Sequence, residues 1–301
     1  MPITWFAESP HLFDTEPRKA MKALPKIPGY ELLTCLGGGV ITSVYSARDC
    51  QSDLPCAVKT LRPDWEDQPV AVKLLQREAR ACLAVKHPHL VCLREAHVMT
   101  PPHYLVMDFL PGESLRRRLR RDYQVSMPTA IWIARQTAEA LAALHRKGFI
   151  HADVKPENIR LIDAGKAVLL DLGFAHRPGE NASFQEKGYV LGTANYLAPE
   201  LCGEEPTDEA RSDIFSLGVT LFELLTGQLP YPQGDQIETM RCHSSDNPQL
   251  LTDHVRDAPA GLTEVIDAML ARKPEDRPRA DKLVYELIRY EIATLRMRRA
   301  A

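Results

Sequence analysis

The chain has 301 residues, of which 45% are apolar, so it can bury a substantial core as one large or two modest domains. Its net charge of −3 gives no electrostatic case for nucleic-acid binding, which favours a strongly basic surface. The seven cysteines include no C-x-x-C pair, and no apolar run approaches the ~20 residues that cross a bilayer. We therefore expect a cytoplasmic protein with reduced cysteines and no membrane span.

The first 28 residues contain five prolines and charges of both signs, a composition typical of an irregular extension. They also lack the apolar core of a secretion signal. Four large apolar side chains leave open that the extension docks onto the rest of the chain: Trp5, Phe6, Leu12 and Phe13.

From Tyr30 the pattern changes to short aliphatic segments bounded by Gly, Asp or Pro. These segments predict strands at 30–37, 43–49, 55–61, 90–98 and 103–109. A helical repeat at 69–86 places Val72, Leu75, Ala79, Cys82 and Leu83 along one face. The first part of the chain is therefore predicted to be a small antiparallel sheet with one helix, which ends in the linker 108–112.

Two features of these strands suggest a nucleotide site. Gly37, Gly38 and Gly39 are followed by a second predicted strand. In the dinucleotide-binding fingerprint and in the P-loop the glycines are followed by a helix, so this segment matches neither motif. Glycines let backbone N–H groups approach phosphate oxygens, although three glycines alone are equally typical of a hairpin turn. Lys59 lies in an apolar strand and needs a partner, and Glu78 on the following helix is the natural one. The alternative is a surface lysine and an unrelated glutamate.

Beyond Gly112 the pattern is mostly helical. A helix at 128–147 is predicted to stop at Gly148, and the segment 209–226 is apolar on several sides, as in a central buried helix. Further helices near 261–272 and 279–298 complete the predicted set. The expected fold is α+β, with a small sheet lobe, a larger helical lobe and a cleft between them.

Two short segments hold polar residues at the spacing that phosphoryl transfer from ATP requires. They are IHADVKPEN at 150–158 and LDLG at 170–173. Asp153 and Lys155 stand two apart on a tight loop, so both side chains can face one reacting phosphate. Asn158 and Asp171 supply oxygen ligands of the kind that Mg²⁺ prefers. These residues predict an enzyme that uses ATP and Mg²⁺.

In their order and spacing these motifs resemble those of the eukaryotic-type (Hanks-type) protein kinases, from about Tyr30 to Arg289. The counterparts are LGGGVITSVY (36–45), CAVK (56–59), QREAR (76–80), HADVKPEN (151–158), DLG (171–173) and APE (198–200). The resemblance implies a bilobal protein-kinase fold with an extension at 1–28, a sheet lobe at 29–110 and a helical lobe at 111–298.

The resemblance also implies a role for each matching residue. Asp153 would orient the proton of the acceptor hydroxyl, and Lys155 would neutralise charge on the transferring phosphoryl group. The Lys59–Glu78 pair would hold the phosphates of ATP, and Asn158 and Asp171 would bind Mg²⁺. The residues implied to bind the nucleotide are Leu36, Gly37, Gly38, Gly39, Val44, Ala57, Lys59, Met107, Asp108, Leu110 and Arg160.

Other matches indicate the branch of the family and its internal supports. Lys155 followed by Pro-Glu-Asn resembles the serine/threonine branch, and Phe174 resembles kinases that favour serine over threonine. The expected partners are therefore protein substrates with serine or threonine acceptors, the chain itself included. The resemblance further implies that Asp213 caps the catalytic loop, that His151 is a packing residue, and that Glu200 forms a buried salt bridge with Arg277. The segment around Glu200 argues against a small-molecule kinase.

Four residues depart from the family pattern, the mildest being Leu172, which replaces the phenylalanine of D-F-G and keeps an apolar contact. Ala152 replaces the arginine of H-R-D, which in the family binds a phosphate on the activation loop, and alanine cannot do this. We therefore expect that activity does not require phosphorylation of Ser183, Tyr189 or Thr193 to order the loop through this residue. Thr42 replaces the third glycine. Arg160 replaces an aliphatic residue beneath the adenine ring. It could stack on the base, or it could obstruct the pocket, which would favour a catalytically weak pseudokinase scaffold.

Overall fold

The computed structural model describes residues 4–5, 24–162, 165–185, 189–203, 206–207, 209–255 and 258–298. A two-residue strand, β1 (Thr4–Trp5), lies parallel to a strand of the second lobe, β10 (Tyr189–Val190). The first lobe is an antiparallel sheet with the strand order β2-β3-β4-β6-β5, and a helix, α1, lies between β4 and β5 in the chain. The bounds are β2 Tyr30–Gly38, β3 Thr42–Asp49, β4 Pro55–Leu61, α1 Pro69–Ala84, β5 Leu93–His97 and β6 Tyr104–Asp108.

Both faces of this sheet are covered, which explains why β4 is buried at every residue after Pro55. Ala57 and Leu61 belong to the core cluster that includes the apolar residues of α1, whereas Cys56 and Val58 pack with a second cluster around Ile27. Because side chains alternate along a strand, Lys59 shares the face of Ala57 and Leu61. The register of β4 therefore turns the lysine toward α1.

The second lobe is mostly helical, with a three-stranded sheet in the order β7-β8-β9 at its junction with the first. The strands are β7 Glu113–Ser114, β8 Ile159–Leu161 and β9 Ala167–Leu169. The helices are α2 Leu115–Asp122, α3 Met127–Arg146, α4 Ala182–Gln185, α5 Ser212–Thr226, α6 Gln236–Ser245, α7 Ala260–Met269 and α8 Ala280–Arg298.

Helix α5 is the centre of this lobe and is buried at every residue. It ends at Gly227, whose φ of +73° is a left-handed conformation that glycine adopts without strain. A Cβ at this position would lie 2.5 Å from the ring of Tyr123, so only glycine fits there. Within the described ranges no helix is both long and apolar enough to span a bilayer.

The predicted two-lobe architecture is confirmed, and the predicted strands and long helices are present with ends shifted by a few residues. The predicted helix set was wrong because it omitted α2, α4 and α6. Leu83 was placed on the buried face of α1 but is 65% exposed. The central helix begins at Ser212 and not at 209, because the chain turns at 209–211 before entering it. Of the extension 1–28, only residues 4–5 and 24–28 are described, and Phe6, Leu12 and Phe13 lie outside the described residues.

The predicted ion pair between Glu200 and Arg277 is present and buried. Both Arg277 Nη atoms lie 2.7 Å from the Glu200 oxygens, and the Arg277 side chain is 0% exposed. Its other donors bind the carbonyl oxygens of Ala271, Arg272 and Arg211. All five N–H groups of the guanidinium are thus satisfied, which is the condition for tolerating a buried charge.

We expect Arg277→Met to lower the free energy of unfolding by about 3–5 kcal/mol, because the change leaves the Glu200 carboxylate buried without its partner. Urea unfolding measures this loss. Arg279→Met is the matched control, since Arg279 is 72% exposed and pairs with Asp281 at 3.5 Å, a surface contact worth less than about 1 kcal/mol. Equal losses in the two variants would contradict the structural role of the buried pair.

Candidate active site

A buried carboxylate of α5 holds the loop that carries Asp153. The two Asp213 oxygens accept hydrogen bonds from the backbone N–H groups of His151 (2.8 Å) and Ala152 (2.9 Å), as predicted. The Nε2 atom of His145 lies 2.8 Å from the same carboxylate. Ala152 has a φ of +66°, a left-handed conformation that costs roughly 1–2 kcal/mol for an L-residue. The contacts to Asp213 stabilise this conformation.

His151 is completely buried and both of its ring nitrogens are engaged. Its Nε2 lies 3.0 Å from the carbonyl oxygen of Leu170, and its Nδ1 accepts the backbone N–H of Asp153 at 3.2 Å. These contacts correspond to a neutral imidazole protonated at Nε2. His151 therefore packs and braces the loop, which agrees with its predicted structural role.

Asp153 receives three polar side chains. Its Oδ2 lies 2.8 Å from the Asn158 amide nitrogen and 2.8 Å from Lys155 Nζ, and its Oδ1 accepts the Thr193 hydroxyl at 2.8 Å. Lys155 Nζ also donates to the Thr193 hydroxyl at 2.5 Å. Burial acts to lower the pKa of Lys155, but the charge and hydrogen bond of Asp153, together with the charges of Glu157 and Asp171, outweigh it and raise the pKa. The loop thus presents an ammonium beside a carboxylate.

The sequence suggested Thr193 as a possible phosphorylation site, and its contact with Asp153 was missed. The pairing joins residues 40 apart in the sequence. Loop-to-loop contacts of this length leave no periodic signal in the sequence. The only hint was the position of the Gly-Thr pair shortly before the APE motif.

Lys59 bridges the lobes through two carboxylates. Its Nζ lies 2.7 Å from Glu78 Oε2 on α1 and 2.7 Å from Asp171 Oδ1, so the predicted pairing with Glu78 is confirmed. Burial acts to lower the pKa of Lys59, but Asp171 and Glu78 outweigh it and hold the pKa above its ordinary value. Loss of hydration acts to raise the pKa of Asp171, but Lys59 and the Gly173 N–H outweigh it and hold the pKa at about 2. Lys59 is a cation and Asp171 an anion at neutral pH.

The donor set at Asn158 and Asp171 suits Mg²⁺. The Asn158 amide nitrogen donates to both the carbonyl and the carboxylate of Asp153, which leaves its amide oxygen as the atom available to a cation. Asp171 lines the cleft and contributes carboxylate oxygens. No cluster of three or more His, Cys, Asp or Glu that could hold a metal occurs among the described residues. The oxygens of Asn158 and Asp171 would be enough for Mg²⁺, because this ion usually takes its remaining ligands from substrate phosphates and water.

A cleft opens beside Lys59. Of the residues implied to bind the nucleotide, those in its lining are Leu36, Val44, Ala57, Lys59, Met107, Asp108, Leu110 and Arg160. The three glycines lie outside this lining: Gly37 and Gly38 end β2, and Gly39 begins the connection to β3. A Cβ on Gly38 would lie 2.6 Å from the Thr42 carbonyl oxygen, so the close approach of these strands requires glycine. The lining also contains Val91, Phe109 and Leu170, which the motifs did not identify.

Arg160 binds the linker between the lobes. Its Nε donates to the Leu110 carbonyl oxygen at 3.0 Å and its Nη2 to the Gly112 carbonyl oxygen at 2.7 Å. Burial, with a smaller contribution from Arg117, lowers the pKa of Arg160. Arg160 also lines the cleft, so one residue contributes to the pocket wall and to the position of the linker. Neither alternative drawn from the sequence anticipated this contact.

A second arginine, Arg116 of α2, joins the catalytic loop to the rest of the lobe. It lies 2.7 Å from Glu157 Oε1, 2.5 Å from Glu223 Oε1 and 2.5 Å from the Tyr196 hydroxyl. The Tyr196 hydroxyl donates to Glu223 at 2.6 Å. The Arg116 guanidinium thus connects α2 to the loop that carries Asp153, to the segment before Glu200 and to α5. The predicted helix set lacked α2, so this network could not be foreseen.

Comparisons with known proteins agree with this geometry. The family model described as "Protein kinase domain" matches residues 30–287. The chain is 33% identical over 252 residues to the serine/threonine-protein kinase PknB of Mycobacterium leprae, an alignment that covers 82% of this chain and 40% of that protein. It is 34% identical over 251 residues to the serine/threonine-protein kinase PknD of Mycobacterium tuberculosis, with 82% and 37% covered.

The chain thus spans about two fifths of the length of these relatives. Within that span, the family model covers the sheet lobe, the linker and the helical lobe up to α8. Because the match extends over most of the chain and the fold has the expected two lobes, the chain belongs to the eukaryotic-type protein kinase family.

Proposed function

We propose that this chain is an ATP- and Mg²⁺-dependent protein serine/threonine kinase that transfers the γ-phosphate of ATP to serine, and also threonine, hydroxyls of proteins, itself included. The observation that carries the proposal is a pair of neighbouring polar groups. Lys59 and Asp171 are paired in the lining of the cleft, and Asp153 binds Lys155 and Asn158, with the charge of Lys155 acting on Asp171. The relatives named as serine/threonine-protein kinases support the choice of acceptor. We further propose that it acts in the cytoplasm, where its free cysteines stay reduced.

Asp153 is suited to orient an alcohol. Its Oδ1 already accepts a hydroxyl, that of Thr193, while Oδ2 is held by Asn158 and Lys155. An acceptor hydroxyl placed at this carboxylate would donate its proton to Asp153, and Lys155 would stabilise negative charge on the phosphoryl group beside it. Positioning and charge stabilisation of this kind supply most of the rate gain in phosphoryl transfer.

Lys59 is suited to hold the phosphates of the nucleotide. The Glu78 carboxylate fixes the direction of the ammonium, and Asp171 keeps it at the edge of the cleft. Asn158 and Asp171 are the residues that would hold Mg²⁺, which neutralises phosphate charge when bound. Apolar side chains of both lobes would enclose the adenine base, namely Leu36, Val44, Ala57, Met107 and Leu170.

The first prediction separates a kinase from a pseudokinase scaffold. We expect Mg·ATP to raise the melting temperature of the protein, because a ligand that binds only the folded state stabilises it. We expect Asp153→Asn to lower phosphate transfer from [γ-³²P]ATP about 10²–10⁴-fold and to leave the Mg·ATP shift in place, since this change removes a proton acceptor and not a nucleotide contact. Lys59→Met and Asp171→Asn should also lose orders of magnitude in transfer.

The matched control is Asp281→Asn, an exposed carboxylate at the start of α8 that should leave transfer unchanged. Full transfer in all three site variants would refute the assigned roles. A wild-type protein that takes up no Mg·ATP and labels no hydroxyl would be a scaffold.

The second prediction concerns the Thr193 hydroxyl. Thr193→Val keeps the shape of the side chain but removes the bridge between Asp153 and Lys155, so we expect kcat to fall about tenfold or more. Thr193→Ser retains the hydroxyl and should keep most of the activity. Steady-state kinetics of both variants provide the measurement, and equal kcat values for the two would show that the hydroxyl has no role.

The third prediction concerns Arg160. Arg160→Leu removes two hydrogen bonds from the linker, worth together about 1–3 kcal/mol, so we expect the Kd for Mg·ATP to rise about tenfold or more. Isothermal titration calorimetry measures the change. Arg117→Leu removes a neighbouring positive charge but no linker contact, and it should change Kd much less. Tighter binding in Arg160→Leu would indicate that the arginine obstructs the cleft.

A further inference from the structure

The segment that follows Asp171-Leu-Gly is attached to α1 by a group of arginines around one carboxylate. Arg80 of α1 donates from Nη2 to Glu180 Oε2 at 2.6 Å, and the backbone N–H of Arg177 donates to the same oxygen at 2.9 Å. Glu180 therefore closes a turn in its own segment and binds the helix at the same time. Neither the kinase motifs nor the cleft involves this residue.

A second contact lies one helical turn earlier, beside the catalytic pair. Arg77 Nη1 donates to Asn181 Oδ1 at 3.0 Å, and its Nη2 donates to the backbone carbonyl of Glu180. Its guanidinium also lies over the ring of Phe184, at 5.5 Å from the centroid. Arg77 directly precedes Glu78 and is 6% exposed. The segment after Asp171-Leu-Gly is thus bound to the turn of α1 that carries Glu78, the partner of Lys59.

The Glu180 carboxylate faces positive charge on α1. It interacts with the charge of Arg80 and, to a smaller extent, with that of Arg77. Arg80 and Arg177 both lie over the ring of Phe149, with their Cζ atoms 5.7 and 5.0 Å from its centroid. Burial acts to raise the pKa of Glu180, but Arg80 and the Arg177 N–H outweigh it and lower the pKa, so the anion is present at neutral pH.

We propose that Glu180 is a positioning residue for phosphoryl transfer: its carboxylate fastens the segment to α1 and so keeps Glu78 against Lys59. The proposal rests on the kinase activity proposed above. A permanent carboxylate supplies here the negative charge that a phosphorylated residue can supply to arginines. Ala152 has no group that could bind a phosphate, which is consistent with a segment ordered by its own glutamate.

The variants are tested as the full chain after phosphatase treatment, with the absence of phosphate checked by mass spectrometry. We expect Glu180→Ala to lower kcat about tenfold, within the range found when residues outside a site modulate it. The KM for ATP should change less, because the adenine pocket is untouched. Glu180→Gln keeps the hydrogen-bonding shape without the charge and should fall between the wild type and Glu180→Ala. Glu238→Ala is the control, since Glu238 pairs with Arg241 on α6, at 2.7 Å, away from α1.

A charge exchange separates positioning from general destabilisation. Glu180→Arg should be the least active variant, and adding Arg80→Glu should restore a large part of the lost kcat, because an opposite-charge pair re-forms between the segment and α1. A double variant no better than Glu180→Arg alone would overturn the proposal. Retention of wild-type kcat by Glu180→Ala and Glu180→Gln would overturn it as well.

Hydrogen–deuterium exchange of the nucleotide-free protein supplies a measurement that needs no catalysis. We expect amides in the α1 residues 69–84 to exchange faster in Glu180→Ala than in the wild type, with exchange in α5 unchanged. Faster α1 exchange in a protein whose wild type transfers no phosphate would support the attachment and refute the proposed function. Unchanged α1 exchange in a variant of an active enzyme would refute the attachment alone.

Discussion

The proposed active site depends on one buried anion. Asp213 lies in the helix that forms the centre of the larger lobe, where a carboxylate without partners would be strongly destabilising. Its partners are the backbone N–H groups of His151 and Ala152 and the imidazole of His145. Burial acts to raise the pKa of Asp213, but His145 and His151 lower it, so the group stays ionised. A residue of the core helix therefore also shapes the loop that carries Asp153.

The smaller lobe contacts Asp171 of the larger lobe through Lys59. The alternation of β4 directs Lys59 toward α1, and its ammonium joins Glu78 of one lobe to Asp171 of the other. A cation between two carboxylates is stable when buried only if both anions remain in place. Movement of α1 away from the sheet would therefore break a charge balance that spans the cleft.

The sequence was most informative where chemistry restricts the residue type. Asp153, Asn158 and Asp171 follow from the oxygen ligands and carboxylates that phosphoryl transfer needs, and Lys59 with Glu78 follows from the requirement to pair a buried charge. The long helices were visible because apolar residues repeat over several turns. The end of α3 was predictable because a glycine follows the apolar repeat. Gly148 has a φ of +74° in the structure, a conformation that favours glycine.

The remainder could not be predicted, for identifiable reasons. Helix α2 reads LRRRLRRD and buries only Leu115 and Leu119, too few apolar residues to mark a helical face. The strands of the β7-β8-β9 sheet have two or three residues, too short to show alternation. Leu83 satisfied the apolar pattern of α1 but lies beyond the edge of the face that packs on the sheet. Contacts such as Thr193 to Asp153 depend on tertiary folding alone.

The hydrogen bonds of Arg160 have a consequence for small molecules that compete with ATP. The carbonyl oxygens of Leu110 and Gly112 already accept N–H groups from the guanidinium. An inhibitor whose donor is aimed at either oxygen must share it with a cation or displace it, and so gains little from that group. Scaffolds that present a planar ring to the arginine, and place their donors elsewhere, would exploit a feature that kinases with an aliphatic residue at this position lack.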